Sequence, residues 1–182
     1  MGISKRLNRG YNSKTTNCPT SIYTRNLFDL NGNEYSFCLH DIYLKGINMD
    51  ITEHHNWDPG REKNRCFDPD KRICEFKIDE YHQNAKGIYC FFVNDEPKYI
   101  GETTRPFKKR INDGYGHIYP RNCYSDGNGT DLDINYHINE ELQKGNTVLI
   151  GFYEMDNDYN IKQLEDALIE AYELRKCGWN KR

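Results

Sequence analysis

Gly87-Ile88-Tyr89-Cys90-Phe91-Phe92-Val93, then Asn94-Asp95-Glu96-Pro97, then Lys98-Tyr99-Ile100-Gly101 is the stretch from which the fold can be read. The first run is apolar and rich in aromatic and β-branched side chains, which suit a pleated, buried surface. Asn-Asp-Glu-Pro supplies turn chemistry and the second run resumes extended structure, so the whole predicts a β-hairpin. Ile88 to Val93 is also the longest fully apolar stretch, six residues, against the roughly 20 that a membrane-spanning helix needs.

Downstream of the hairpin, Thr103 or Thr104 can cap a short helix whose first turn takes Pro106 and which carries Lys108, Lys109 and Arg110. Ile134, Ile138 and Leu142 fall at helical spacing within Asp133 to Lys144, and Gly145 ends that helix. Thr147 to Met155 reads as a third, buried strand. Asn160 with Gln163 resembles a capping box, Leu164, Leu168 and Ala171 form an apolar stripe, and Arg175-Lys176 then Gly178 close a final helix. The order from Gly87 is therefore strand, strand, helix, helix, strand, helix.

Upstream, Ser21 to Leu30 and Glu34 to Leu39 flank Asn31-Gly32-Asn33, a second hairpin signal. Residues 53–72 are polar and broken by Asp58-Pro59-Gly60 and Asp68-Pro69-Asp70, which predicts a loop. The fold class expected is α+β, with a β- and loop-rich N-terminal extension over 1–84 ahead of a better-patterned part over 85–182.

At 182 residues, with 36% hydrophobic and 29% charged positions, the chain suffices for one compact domain plus an extension and excludes a large multidomain machine. Aromatics at 13% argue against disorder, although the Asn-rich first 20 residues read as loose. The mean hydropathy of -0.96 and a start, Met-Gly-Ile-Ser-Lys-Arg, without an apolar run predict a soluble protein with no export signal. Arg6 stands where myristoylation needs Ser or Thr. Seven cysteines, at 18, 38, 66, 74, 90, 123 and 177, form no Cys-x-x-Cys pair, and their sparse distribution predicts a reduced, cytoplasmic setting.

The formal net charge of -3 conceals segregation. Within 97–125, Lys98, Arg105, Lys108, Lys109, Arg110 and Arg121 face only Glu102 and Asp113, whereas 126–173 holds twelve acids against Lys144 and Lys162. The last nine residues are basic again through Arg175, Lys176, Lys181 and Arg182. Such separation lets one face meet phosphates while acids lie elsewhere or hold a metal.

Gly87-Ile88-Tyr89, nine residues, then Tyr99-Ile100-Gly101; a basic helix through Arg110; Glu165 with Asn180 fifteen residues on: this layout closely resembles the GIY-YIG nuclease superfamily over about residues 85–182. The resemblance implies a three-stranded antiparallel core flanked by helices and a divalent-metal-dependent DNA endonuclease, most like the small restriction enzymes of that family; it makes 85–182 the catalytic domain, with an insertion at about 113–145, and leaves 1–84 for DNA recognition or dimerisation. It implies that Tyr89, with Tyr99 beside it, orients or deprotonates the attacking water. Arg110 would bind the scissile phosphate through its planar fork of donors, with Arg105 as the competing arginine. Glu165 would hold one Mg²⁺ or Mn²⁺, an ion content with few protein ligands, and Asn180 would orient a phosphate or Glu165. Tyr115 and His117 both qualify as the proton carrier after Arg110, and His117 ranks first by its pKa near neutrality. Arg105, Lys108, Lys109 and Arg121 are the expected contacts to double-stranded DNA. A homodimer that matches a palindromic site follows by analogy.

The rival readings are a phage, mobile-element or structure-specific endonuclease, and a DNA-binding module that kept the fold without cleavage. Cys38, His40, His54, His55, Cys66, Cys74 and His82 could in principle hold zinc for an adaptor role, but their spacings fit no recognised finger and zinc is not expected.

Overall fold

The computed structural model describes residues 23–50, 72–78, 84–124, 127–156 and 160–181. Residues 53–71 of the expected loop, the first 20 residues, and His54, His55, Cys66 and His82 lie outside the described residues, and Arg72, the loop's expected last residue, is in a strand.

The hairpin forms as read. Its strands, β5 (Gly87–Val93) and β6 (Glu96–Thr103), pair antiparallel with Tyr89 opposite Gly101 and Phe91 opposite Tyr99. The turn is tighter than the four residues expected: only Asn94 and Asp95 lie outside the strands, with φ of 48° and 71°, the left-handed pair that matches strand twist. Pro97 falls inside β6, where the register shifts between Phe91 and Phe92. Such a bulge is one of the few strand positions that tolerate proline.

β5 is the strand between β7 and β6 and is buried along its whole length because each face of the sheet there carries a layer of the core. β7 (Val148–Glu154), the third strand expected, pairs with its other edge. The N-terminal hairpin, β1 (Thr24–Phe28) and β2 (Glu34–Asp41), extends the same sheet through β2 and β7, giving five antiparallel strands in the order β1-β2-β7-β5-β6. Its turn is closed by Asp29, whose carboxylate accepts from the Asn31 and Asn33 backbone at 2.8 and 2.9 Å. β3 (Tyr43–Asp50) and β4 (Arg72–Lys77) form a separate two-stranded sheet. The α+β class is thus observed.

Strand alternation divides the core in two. Tyr89, Phe91, Val93, Tyr99, Ile150 and Phe152 face β4, α1 (Phe107–Arg110) and α2 (Gly129–Gln143), packing on Phe76, Phe107, Ile111, Tyr115, Ile134 and Ile138. Ile88, Cys90, Phe92 and Ile100 face the other way, with Leu27, Phe37 and Leu39, beneath Ile161, Leu164 and Leu168 of α3 (Ile161–Ala171) and Leu174 of α4 (Leu174–Cys177).

Helix boundaries depart from the sequence reading. Pro106 is the N-cap of α1, while the Thr103 hydroxyl accepts from the Arg105 N–H at 3.1 Å and donates to its carbonyl at 3.0 Å, closing the turn before the helix. α2 starts four residues earlier than Asp133, capped by Asn128, whose side chain accepts from the Thr130 N–H at 3.2 Å. Its first turn is polar, so apolar spacing does not register it. Asn160 is the N-cap of α3 but makes no capping bond. The last helix is two, because Glu173 adopts φ 50° and breaks it. Cys38 is disulfide-bonded, against the expectation of a fully reduced set, whereas Cys74, Cys90, Cys123 and Cys177 are free thiols.

Candidate active site

Tyr89 projects from the middle of β5 across the hairpin and lies over Gly101. A Cβ at position 101 would sit 2.3 Å from the phenol oxygen and 2.4 Å from Cζ, closer than any real contact, so only glycine admits this ring. Gly87 is glycine for a different reason: its φ is +140°, and a Cβ would fall 2.3 Å from the Tyr153 carbonyl of β7. The glycines of both tripeptides are therefore demanded by the packing.

Tyr99 reaches the same face from β6, and α1 delivers Arg110. The helix then widens into a π-helical turn, Ile111–Tyr115, closed by a bond from the Gly116 N–H to the Ile111 carbonyl at 2.7 Å. In a regular α-helix the residue four past Arg110 shares its face, but the wider turn presents the residue five past it, Tyr115.

The result is a cluster of three phenols and one guanidinium. Tyr115 Oη lies 2.8 Å from Tyr89 Oη and 3.0 Å from Tyr99 Oη. Arg110 donates from Nε to Tyr89 Oη at 3.1 Å and from Nη2 to Tyr115 Oη at 2.6 Å, and its guanidinium carbon stands 4.4 Å from the Tyr115 ring centre. Its Nη1 donates to Asp131 Oδ1 at 2.9 Å, a pair whose side chains are 18% and 10% exposed.

Burial raises the Tyr89 phenol well above its ordinary range; the neighbouring Tyr99 adds to this and Arg110 only partly offsets it. Tyr115 is raised likewise, by burial first and then by Tyr89 and Tyr99. Burial also pushes the Asp131 carboxyl up, against the pull of Arg110 and Arg105. Tyr89 and Tyr115 thus rest as neutral phenols beside a cation, in a hydrogen-bonded group that can offer one guanidinium to an anion.

His117 does not join it. Its Nδ1 lies 3.3 Å from Glu75 Oε1 on β4, and its ring packs on Tyr119 with centroids 4.5 Å apart. Of the two proton carriers weighed, the structure brings Tyr115 to Arg110. Asp131 was legible in the sequence only as one acid among twelve. Its position three residues past Asn128 signals a helix N-terminus, but nothing local points to a partner 21 residues upstream.

Glu165 stands on α3, the helix that covers the opposite face of the sheet from Tyr89. It is 8% exposed and paired with Lys162. Burial raises its carboxyl and Lys162 opposes this, while the charge of Glu102 on β6 raises it further. Among the described residues, no set of three or more His, Cys, Asp or Glu side chains converges on one point. Asn180 spends its carboxamide on the Ile100 backbone, accepting from its N–H at 3.0 Å and donating to its carbonyl at 2.7 Å. With the Trp179 N–H on the Lys98 carbonyl at 2.7 Å, it pairs the end of the chain with the outer edge of β6.

Arg105, Lys108 and Lys109 are exposed around the start of α1, with Lys109 also 3.1 Å from Asp113. Arg121 is exposed on a short 3₁₀ turn, Pro120–Cys123, beside a shallow recess that it lines with Tyr119, Asn122 and Asn128.

No protein-family model, curated protein or solved structure matches the chain. No helix among the described residues is long and apolar enough to cross a membrane.

Proposed function

We propose that this protein is a divalent-metal-dependent endonuclease of the GIY-YIG kind that hydrolyses DNA, acting as a site-specific restriction-type enzyme. The observation that carries the reading is the cluster itself: the tyrosines of both tripeptides and Arg110 meet in one hydrogen-bonded group. The antiparallel order β7-β5-β6, flanked by α1, α2 and α3, supports the three-stranded core of that family.

In this reading Arg110 takes a phosphoryl oxygen, where a preorganised cation in a dry site lowers the barrier most. Tyr89 Oη orients the attacking water. Because burial disfavours phenolate, Tyr89 acts on that water as a hydrogen-bonding group, held in place by Tyr115 and Arg110, and takes up no proton. Glu165, on the helix that covers the other face of the sheet, is the residue that would hold Mg²⁺ or Mn²⁺, an ion that supplies Lewis-acid charge neutralisation when bound. Arg105, Lys108, Lys109 and Arg121 supply sequence-independent attraction to the DNA backbone, and a homodimer would match a twofold site.

The test incubates purified protein with several unmethylated plasmid and phage DNAs, with Mg²⁺ or with EDTA, beside Arg110→Ala and Glu165→Ala. Discrete Mg²⁺-dependent bands, reduced about a hundredfold or more in each variant, are expected. No cutting of any duplex would overturn the reading. Protection of DNA without cutting would favour the non-catalytic binding module, to which the 1% exposure of Tyr89 lends some weight.

A further inference from the structure

Three of the atoms through which Arg110 can address a ligand are committed, and only one is committed outside the aromatic cluster. Nε and Nη2 hold Tyr89 and Tyr115, while Nη1 holds a carboxylate oxygen of Asp131, which comes from a separate element, the first turn of α2. Tyr89 and Tyr115 are 1% and 0% exposed, whereas the Arg110 and Asp131 side chains keep 18% and 10%, so of these four it is the ion pair that solvent reaches. A carboxylate oxygen and a phosphate oxygen present the same partner to a guanidinium N–H. The charge of exposed Arg105, just before α1, already acts on Asp131, and Lys108 and Lys109 are exposed on α1 itself.

Resting on the nuclease reading above, we infer that Asp131 holds on Arg110 the place of a DNA phosphate, and that DNA must displace it to reach the phenols. Asp131 is then a competing carboxylate built into α2. It keeps the cluster sealed without substrate, and it makes entry depend on a ligand dense enough in phosphate to exchange for it. The released carboxylate stays within the field of Arg105, so the exchange moves a charge pair and leaves no orphaned buried acid.

The experiment measures binding of a labelled mixed-sequence DNA duplex, in EDTA so that nothing is cut, by fluorescence anisotropy. The proteins are the wild type, Asp131→Asn, Arg110→Ala, the double variant, and Asp133→Asn. The last removes the same charge from a half-buried position on α2 that pairs with Lys181. Asp131→Asn is expected to bind about tenfold tighter, within the usual range of coupling between two ligands of one site. Asp133→Asn should gain less than about twofold, and the effect of Asp131→Asn should vanish in the Arg110→Ala background. A gain no larger than that of Asp133→Asn, or one that persists without Arg110, overturns the inference.

A measurement on the wild-type protein keeps the test independent of how the variants fold. The carboxyl ¹³C resonance of Asp131 should move when duplex is added, and an unmoved resonance with DNA bound would show a permanent tie. If wild type binds duplex and Arg110→Ala weakens it while Asp131→Asn is neutral, the competing carboxylate fails and the nuclease reading stands. If no protein in the set binds duplex, the nuclease reading fails and this inference with it.

Discussion

Gly101→Ala places one methyl group where the Tyr89 ring already is. The clash distances, 2.3 Å to the phenol oxygen and 2.4 Å to Cζ, leave two ways out: the ring moves or the hairpin opens. The ring has nowhere to go, because Phe91, Tyr99, Phe107 and Tyr115 surround it with centroids 5.9 to 6.4 Å away. Overpacking of this kind costs about 1–3 kcal/mol. Displacing Tyr89 Oη also breaks its bonds to Arg110 and Tyr115, and a hydrogen bond to a charged partner is worth about 1.5–3 kcal/mol. The expected loss is about 3–5 kcal/mol, which for a chain of this length lowers the thermal midpoint by roughly 10 °C.

Urea unfolding followed by circular dichroism reads the loss directly, and a double-mutant cycle identifies its source. Tyr89→Leu removes both clashing atoms, so in that background Gly101→Ala should cost about 1 kcal/mol or less. Tyr89→Phe retains Cζ and should rescue little. A midpoint within about 2 °C of wild type, or an equal cost in the Tyr89→Leu background, would refute the claim that the glycine exists for the tyrosine.

Burial holds the Glu165 carboxyl above its ordinary 4.5, so its ionisation costs the folded state stability. That cost is absent well below pH 4.5 and complete above the folded pKa. Glu165→Gln should therefore melt higher than wild type near pH 7 and lose the advantage near pH 3, in thermal scans across that range. If Glu165 holds the cation, millimolar Mg²⁺ should raise the midpoint of wild type and leave the variant unmoved. Asn180→Ala removes two buried bonds to Ile100, and is expected to cost about 2 kcal/mol and to speed hydrogen exchange at the Ile100 amide. Full stability with activity lost would instead place Asn180 on the substrate. Asn135, fully buried, ties β4 to the π-helical turn through the Cys74 N–H at 2.9 Å, the Cys74 carbonyl at 2.8 Å and the Tyr115 carbonyl at 2.6 Å. Asn135→Ala should cost about 3 kcal/mol in denaturant unfolding, and a loss under about 1 kcal/mol would contradict that tie.

The sequence alone determined both hairpins, the buried third strand, the existence of α2 and α3, and the α+β class. Each of these is encoded within a few neighbouring residues: Asn94-Asp95 accept left-handed φ, Asn31-Gly32-Asn33 turn the chain, and β5 is an unbroken apolar run, as a strand buried on both faces requires. The same locality explains why Tyr89, Tyr99 and Arg110 could be singled out, since two sit on one hairpin and the third follows it.

What the tertiary structure decided depends on residues far apart or on an offset of one position. A single widened turn sets Tyr115, not His117, against Arg110, and no propensity signals where a helix will take five residues per bond in place of four. The pairing of Arg110 with Asp131 joins α1 to α2, and the carboxamide of Asn180 closes on Ile100 across 80 residues. Glu165 falls on the face of the sheet opposite Tyr89 because α3 crosses beneath the strands, which no helical periodicity reveals. Periodicity tells which side of an element is apolar; only packing tells what that side meets.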